Sequence, residues 1–517
     1  MKKTLRNVFF ILSFIFELTL CGSCPELSDT KLKVLYNSLD PTSIAQHLAF
    51  YELYPQRSLG QQALRDAWQL LAGTDGYSAS LPSESVLLSP SVIHALVTLV
   101  NKPLDQELPL LDREAKNTLI HLSSRLHHYS LKGHQIWNEQ ELLKLPLSEI
   151  DLARGLFLSQ FGSDRSRIQS YEALIDLMAL QILARLPKNA SPEEKIVAIN
   201  AFIFDEMGFR FPPHSLYAKD IDLYTFLPSV LDSRRGVCLG VSILYLCLAQ
   251  RLALPLEMIT PPGHIYVRYC KGDQVINIET TARGIHLDSD EYLSVNTHSL
   301  QKRTIREVIG MAHFNQAAVY WQNEEYQKAL QAYQKAEPYM QDDPLLKELM
   351  GYILILTGYR ERGEKLIHEI KDVIPDYAIV KSSMAEDYLE GKVDAKGIGT
   401  IFTRVDDDRQ SILAKKQALE ETLERYPYFR SGILSLAVTW LQLHRAGEAL
   451  DILKRFESLD KSDPEVHYYL SVLYAQRYDY PHAWHHLQKA EAIAKAQQHD
   501  PKILKELRRE LLNYCPE

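Results

Sequence analysis

Apolar residues recur at helical spacing from about Pro41 to Leu186, as in SIAQHLAFYELY and YEALIDLMALQILARL, which predicts a run of amphipathic helices. Ser89-Pro90 and Pro103 interrupt the pattern and read as turns. Ser191-Pro192-Glu193-Glu194 predicts a helix start, with Ser191 as cap, Pro192 at the first helical position and Glu194 three residues after the cap. Further on, Gly236 precedes an apolar run from Cys238 to Leu252 that suits a buried helix, closed by the loop at Pro255. The period then changes to two. HIYVRYC and QVINIET alternate around Lys271-Gly272-Asp273 and predict a β-hairpin, with His264, Tyr266 and Arg268 on one face and Val275, Asn277 and Glu279 on one face.

The C-terminal part has a longer rhythm. Ala449 and Ala483, Ala437 and Ser471, and Trp440 and Tyr474 are each 34 residues apart, the length of a tetratricopeptide helix pair. Ala317, Tyr320, Ala329, Tyr333 and Ala336 occupy the small and aromatic slots of an earlier repeat, and Gly351, Leu354 and Gly363 follow at the same step. Pro344, Pro375 and Pro464 fall at the expected junctions, whereas 376–423 fits the pattern poorly. Four or five repeats are expected. Generic helical hairpins would explain the periodicity alone, but not several pattern positions recurring in step. Such arrays leave a concave face on which a protein or peptide partner can be held.

At 517 residues the chain exceeds one core. The expected division is a signal segment 1–24, a helical region 25–149, a mixed domain 150–300 and a repeat array 301–517. With 46% hydrophobic and 24% charged residues the composition is that of a folded globular chain, and a mean hydropathy of -0.20 excludes a polytopic membrane protein. A net charge of -9 with no long Lys/Arg run argues against nucleic acid as a partner. The N-terminus carries Lys2, Lys3 and Arg6, then an apolar run from Val8 to Phe16, and reads as an export signal. The expected location is therefore periplasmic, envelope-associated or secreted, with peripheral membrane contact through this segment; if it is unused, the location is cytoplasmic. Leu18 to Cys21 looks like a lipoprotein cleavage box, but Leu20 is bulky where a small residue belongs.

Six cysteines at 21, 24, 238, 247, 270 and 515 match no metal-ligand spacing and no dense disulfide framework. No metal site, phosphate-binding loop or cofactor is expected. Cys238 falls in the first turn of its predicted helix, where unpaired N–H groups and the positive helix end favour a thiolate. If the hairpin closes through Lys271-Gly272, Cys270 faces Asp273 and His264 lies directly opposite Glu279, so the carboxylate can hold one imidazole nitrogen and leave the other for Cys238. Singly, each residue has an ordinary reading: a packed thiol, a turn histidine, a solvated glutamate. Their order and the hairpin register point to a catalytic Cys238, His264 and Glu279. Cys247 is read as core, and Cys270 as structural or as a disulfide partner.

At these residues the sequence resembles the transglutaminase-like superfamily, and more narrowly the bacterial SirB-type proteins, in which such a domain precedes a tetratricopeptide tail. The stretches that carry it are EIDLARGLFLSQ, EKIVAINAFIFDEMGFRF, FLPSVLDSRRG, LYLCLAQRLALPLE and PPGHIYVRY, within about Ile150 to Ile285. SirB-type proteins usually lack a cysteine where this chain has Cys238 and commonly carry Asp where it has Glu279. Their Asn-Ser-Tyr-Leu stretch reads Tyr224-Thr225-Phe226-Leu227 here. The resemblance implies an α+β fold: a papain-like transglutaminase core with an N-terminal helical region and a C-terminal α-solenoid. It also implies acyl transfer, with Cys238 attacking an amide, His264 moving the proton and Glu279 orienting it. Water as acceptor gives a peptidase or amidase, an amine gives a transglutaminase. The rival expectation is a non-catalytic scaffold that keeps the fold and binds partners through the repeats.

Overall fold

The computed structural model describes residues 27–73, 89–104, 106, 108–212, 224–403, 405 and 408–515; the segment 1–24, with Cys21 and Cys24, lies outside them. The chain divides into two compact units, 1–101 and 102–517. The first contains the helices Asp29–Asn37, Ile44–Leu53, Ser58–Ala72 and Pro90–Val100, with Leu32, Phe50 and Ala63 in one apolar cluster. Ser43 and Ser89 cap two of these helices, accepting from the N–H groups of Gln46 and Val92. Ser89-Pro90, read as a turn, is thus the start of a helix. Ser89 satisfies an orphan N–H and Pro90 takes a first-turn position that needs no donor.

The second unit is α+β. Residues 102–149, grouped on sequence with the N-terminal helices, pack within it. Ser191 and Glu194 form the expected capping box, and the helix Pro192–Asn200 continues into a π-helical segment, Ala201–Glu206. The helix Cys238–Arg251 runs through the centre, with every residue except Cys238 and Gln250 buried. It is covered by the helix Arg165–Leu183 and by an antiparallel sheet. The sheet has four strands, β1 (Leu256–Ile259), β2 (Tyr266–Lys271), β3 (Gln274–Ile278) and β4 (Lys302–Arg303), in the order β3-β2-β1-β4.

Charge is buried alongside this apolar packing. Arg251 Nε donates to Asp176 Oδ1 at 2.6 Å, and Arg154 holds Glu172 with two bonds of 2.6 and 2.9 Å while also reaching the carbonyl oxygens of His134 and Ile136. Both guanidinium groups are almost fully buried. Pairs of this kind add little net stability, but removing one partner strands a charge.

The described residues of 305–514 include helices in antiparallel pairs: Ile305–Gln322 with Tyr326–Ala336, Pro344–Leu356 with Arg360–Ile370, Arg430–Gln442 with Ala446–Leu459, and Pro464–Gln476 with Tyr480–Ala496. Tyr326 and Arg360, and Ala446 and Tyr480, begin second helices 34 residues apart. Pro344 and Pro464 take first helical positions behind the capping carboxylates of Asp343 and Asp463. The poorly fitting stretch after Pro375 contains two short helices, Met384–Leu389 and Ala395–Gly399, then Arg409–Arg425, in place of a regular pair. Helix crossings use the small residues of the repeat pattern. A Cβ on Gly363 would sit 2.4 Å from the Gly351 carbonyl oxygen, and Ser471 Oγ donates to the Ala483 carbonyl at 2.8 Å. The helix Lys502–Tyr514 ends the array with Leu504, Leu507 and Leu511 turned inward.

A Cβ on Gly240, two residues into the central helix, would approach the Tyr224 carbonyl oxygen to 2.2 Å and Val230 Cγ2 to 2.8 Å. Gly240→Ala is therefore expected to destabilise the second unit by about 1–3 kcal/mol through overpacking. Thermal unfolding monitored by circular dichroism checks this, and an unchanged melting temperature would show that the Tyr224 segment yields.

Candidate active site

Three segments deliver the site. Cys238 is the first residue of the helix Cys238–Arg251, and Val237 in front of it has no capping side chain, so no side chain at the cap position satisfies the first-turn N–H groups. Gly240 lets this end of the helix lie against the Tyr224 carbonyl, and Val237 N–H donates to that same oxygen at 3.0 Å. His264 follows Pro261-Pro262-Gly263, a turn closed by the His264 N–H on the Pro261 carbonyl at 3.1 Å. Gly263 has φ of 74° there, a conformation that suits glycine. Glu279 follows β3 and caps the 3₁₀ turn Thr280–Ala282.

His264 Nε2 lies 2.5 Å from Glu279 Oε2, and Cys238 and Glu279 are the two groups that act most strongly on the imidazole. With Nε2 engaged by the carboxylate, Nδ1 is the nitrogen left for the thiol. The structure thus brings the three expected residues together at one site. Cys238 is half-buried, and 31% of the His264 side chain is exposed against 6% for Glu279, so the outer members can be reached while the orienting carboxylate is shielded.

The hairpin register differs from the expected one by two residues. Lys271 pairs with Gln274 and Val267 with Ile278, so the loop is Gly272-Asp273, and His264 precedes β2 instead of standing directly opposite Glu279. The reason is local. Gly272 has φ of 59° and Asp273 does not have a positive φ, which puts glycine in the first loop position, as a type II′ turn requires. A slip of two preserves which residues share a face. His264 and Glu279 therefore still meet, along a diagonal.

Sequence reasoning missed the groups that hold Glu279. Tyr292 donates to Oε2 at 3.0 Å and lies parallel to the His264 ring, with centroids 5.9 Å apart and planes within 8°. The Thr281 N–H and hydroxyl donate to Oε1 at 3.1 and 2.6 Å. Ser242 and Thr280 share a hydrogen bond of 2.9 Å, tying the turn after Glu279 to the Cys238 helix. A second tie runs through Asn200, which accepts from Tyr245 and donates to the Gly284 carbonyl. Tyr292 is 13 residues beyond Glu279 in an irregular segment, and no short-range pattern marks it.

The electrostatics follow from these contacts. Hydrogen bonds to Cys238 and then to Glu279 outweigh burial and raise the His264 pKa from 6.5 to about 10. Burial pushes the Glu279 carboxyl up, but the bonds from His264 and Thr281 prevail and its pKa is lowered. Cys247, on the same helix as Cys238, is fully buried, and burial pushes its thiol up to about 12. Cys270 is exposed and forms no disulfide among the described residues, so its reading as a packed structural residue is corrected: it sits where β2 leaves the packed part of the sheet.

Two groups of potential metal ligands also come together where sequence spacing suggested none: His128, His134 and Asp151, and Glu457, His467 and His486. Each set is drawn from separate elements, which hides it from any spacing rule. His128 lies 3.3 Å from Asp176, the carboxylate that also binds Arg251, so a guanidinium faces the first group.

Residues 169–310 match the sequence profile of the transglutaminase-like superfamily. F-box only protein 21 from Mus musculus is 31% identical over 111 residues, covering 21% of this chain and 16% of that protein. A UPF0162 protein from Xylella fastidiosa is 28% identical over 97 residues, covering 19% of this chain and 34% of the relative. The chain thus spans about a sixth of the F-box relative and a third of the other. Among solved structures, TTC0263, a tetratricopeptide protein of Thermus thermophilus, aligns at 16% identity over 40% of this chain and 97% of its own, with a TM-score of 0.21. MamA AMB-1 aligns at 18% identity over 37% and 93%, with a TM-score of 0.19.

Because the folded-state pKa of His264 is raised, its contribution to stability is full below about pH 6.5 and is lost as pH rises through about 10. Glu279→Gln removes one cause of the shift and should move the His264 titration, followed by NMR of the imidazole protons, down from about 10 towards 6.5. An unmoved midpoint would mean that Glu279 does not hold the ring.

Proposed function

We propose that the second unit carries out cysteine-dependent acyl transfer or hydrolysis on amide bonds of a protein or peptide. The observation that carries the proposal is the chain from Cys238 through His264 to Glu279, with the sulfur at a helix N-terminus. His264 takes the thiol proton and is held as imidazolium by the carboxylate. The sulfur adds to the amide carbonyl, and the oxyanion that forms lies near the first-turn N–H groups. Collapse expels the amine, which leaves with the proton from His264, and a thioester remains on Cys238. Water then gives hydrolysis, or a second amine gives a new amide. Glu279, Tyr292 and Thr281 act as positioning residues, since each works through the imidazole or through the carboxylate that holds it.

Within the superfamily we place the chain nearest the SirB-type proteins, on the order of a transglutaminase-like segment followed by paired-helix repeats. The repeats would hold the protein substrate or a partner. Export by the segment 1–24 belongs to the same proposal, supported by its basic start and apolar run. N-terminal sequencing of the exported protein should then begin near residue 25, and recovery of only the intact Met1 form would remove the idea.

The decisive measurement is the rate of iodoacetamide labelling at each cysteine of the intact protein, read by mass spectrometry at mildly acidic pH. Cys238 should react faster than the exposed Cys270 and far faster than Cys247, and His264→Ala should slow Cys238 at least about tenfold. Equal, slow reaction, or labelling insensitive to His264, would leave the scaffold reading, in which the fold serves only as a platform for partner binding.

A further inference from the structure

The last two helix pairs of the array bring together Glu457 from the helix Ala446–Leu459, His467 from Pro464–Gln476 and His486 from Tyr480–Ala496. His467 Nδ1 and His486 Nδ1 lie 3.1 Å apart, and Glu457 Oε1 is 3.9 Å from the first and 3.8 Å from the second. One point lies about 2.1 Å from all three atoms, the length of a zinc bond to an imidazole nitrogen or a carboxylate oxygen. We propose that these three residues bind a divalent transition metal of the zinc class, with the fourth position open to water or to a ligand from a partner.

The surroundings suit that task. His467 Nε2 donates to the Lys461 carbonyl at 3.0 Å, the outer contact that fixes the tautomer and ring plane of a metal-binding histidine. His486 is fixed by Tyr474, whose ring lies parallel at 5.4 Å and 5°. Both histidines are buried, and burial lowers both pKa values, that of His486 to about 4. With the His467 proton on Nε2, the contact between the two Nδ1 atoms needs the His486 proton on Nδ1. Metal binding moves that proton to Nε2 and releases none. Lys489, 2.9 Å from Glu457 Oε1, is the competing cation and must swing away; more than a third of its side chain is exposed. A bound ion would join three successive helices and stiffen the end of the array.

The test is a titration of the full chain, stripped of metal by a chelator, with Co²⁺ as spectroscopic probe. One equivalent should give the visible bands of a low-coordinate nitrogen and oxygen site without thiolate charge transfer, be displaced by Zn²⁺ and raise the melting temperature. His467→Gln combined with His486→Gln should weaken binding at least a hundredfold. Lys489→Met removes the competitor and should tighten binding several-fold, a gain that a misfolded array could not produce. Absence of the bands in the wild type, their persistence in the double variant, or unchanged or weaker binding in Lys489→Met would each overturn the proposal.

Discussion

Burial of the helix Cys238–Arg251 is the constraint on which the second unit depends. A helix apolar on all sides has to be covered on all sides, and here the cover is the helix Arg165–Leu183, the sheet and the turn after Glu279. Its first residue is the place where the cover opens. A cysteine at that position has both a protected backbone and an accessible sulfur, which a side chain in mid-helix could not combine. Cys247 shows the contrast: the same residue type, nine positions along, is sealed and its thiol is pushed up to about 12. Arg251 at the far end is buried too, and its charge is matched by Asp176 on the covering helix, so that end is fixed by an ion pair as the near end is by Gly240.

The second feature is the way Glu279 is saturated. Its four accepted bonds come from His264, Tyr292 and two groups of Thr281. A buried carboxylate without such donors would take up a proton and lose its hold on the imidazole. Here it stays ionised, and the imidazolium opposite it is favoured in turn. The added methylene relative to an aspartate lets the side chain reach back from the turn to a histidine that stands before β2.

The repeat array is built on a different principle. Gly351 against Gly363, and Ser471 against Ala483, let helix backbones meet with little side-chain bulk between them. Where the pattern weakens, after Pro375, the regular pair gives way to short helices. The histidine pair His467 and His486 stands apart from this apolar logic, since two buried imidazoles at a helix crossing contribute polar atoms that the packing itself does not need.

The sequence by itself determined most of the local structure. The 34-residue step identified the array, the Ser191 capping box set a helix start to the residue, and the change from a period of about 3.6 to one of two located the central helix and hairpin. Cys238, His264 and Glu279 were legible because each sits at an element boundary that local physics sets: a helix start, a Pro-Gly turn and a strand end. The hairpin register was not, because Lys271-Gly272 and Gly272-Asp273 are both plausible loops and only the turn geometry of Gly272 chooses between them. The site survived that slip because a shift of two keeps the faces. Tertiary structure alone decided the rest: Tyr292 and Thr281 on Glu279, Arg251 on Asp176, and Glu457, His467 and His486 around one point. These contacts join residues that no helical or strand period relates, and only the path of the chain between elements brings them within hydrogen-bonding distance.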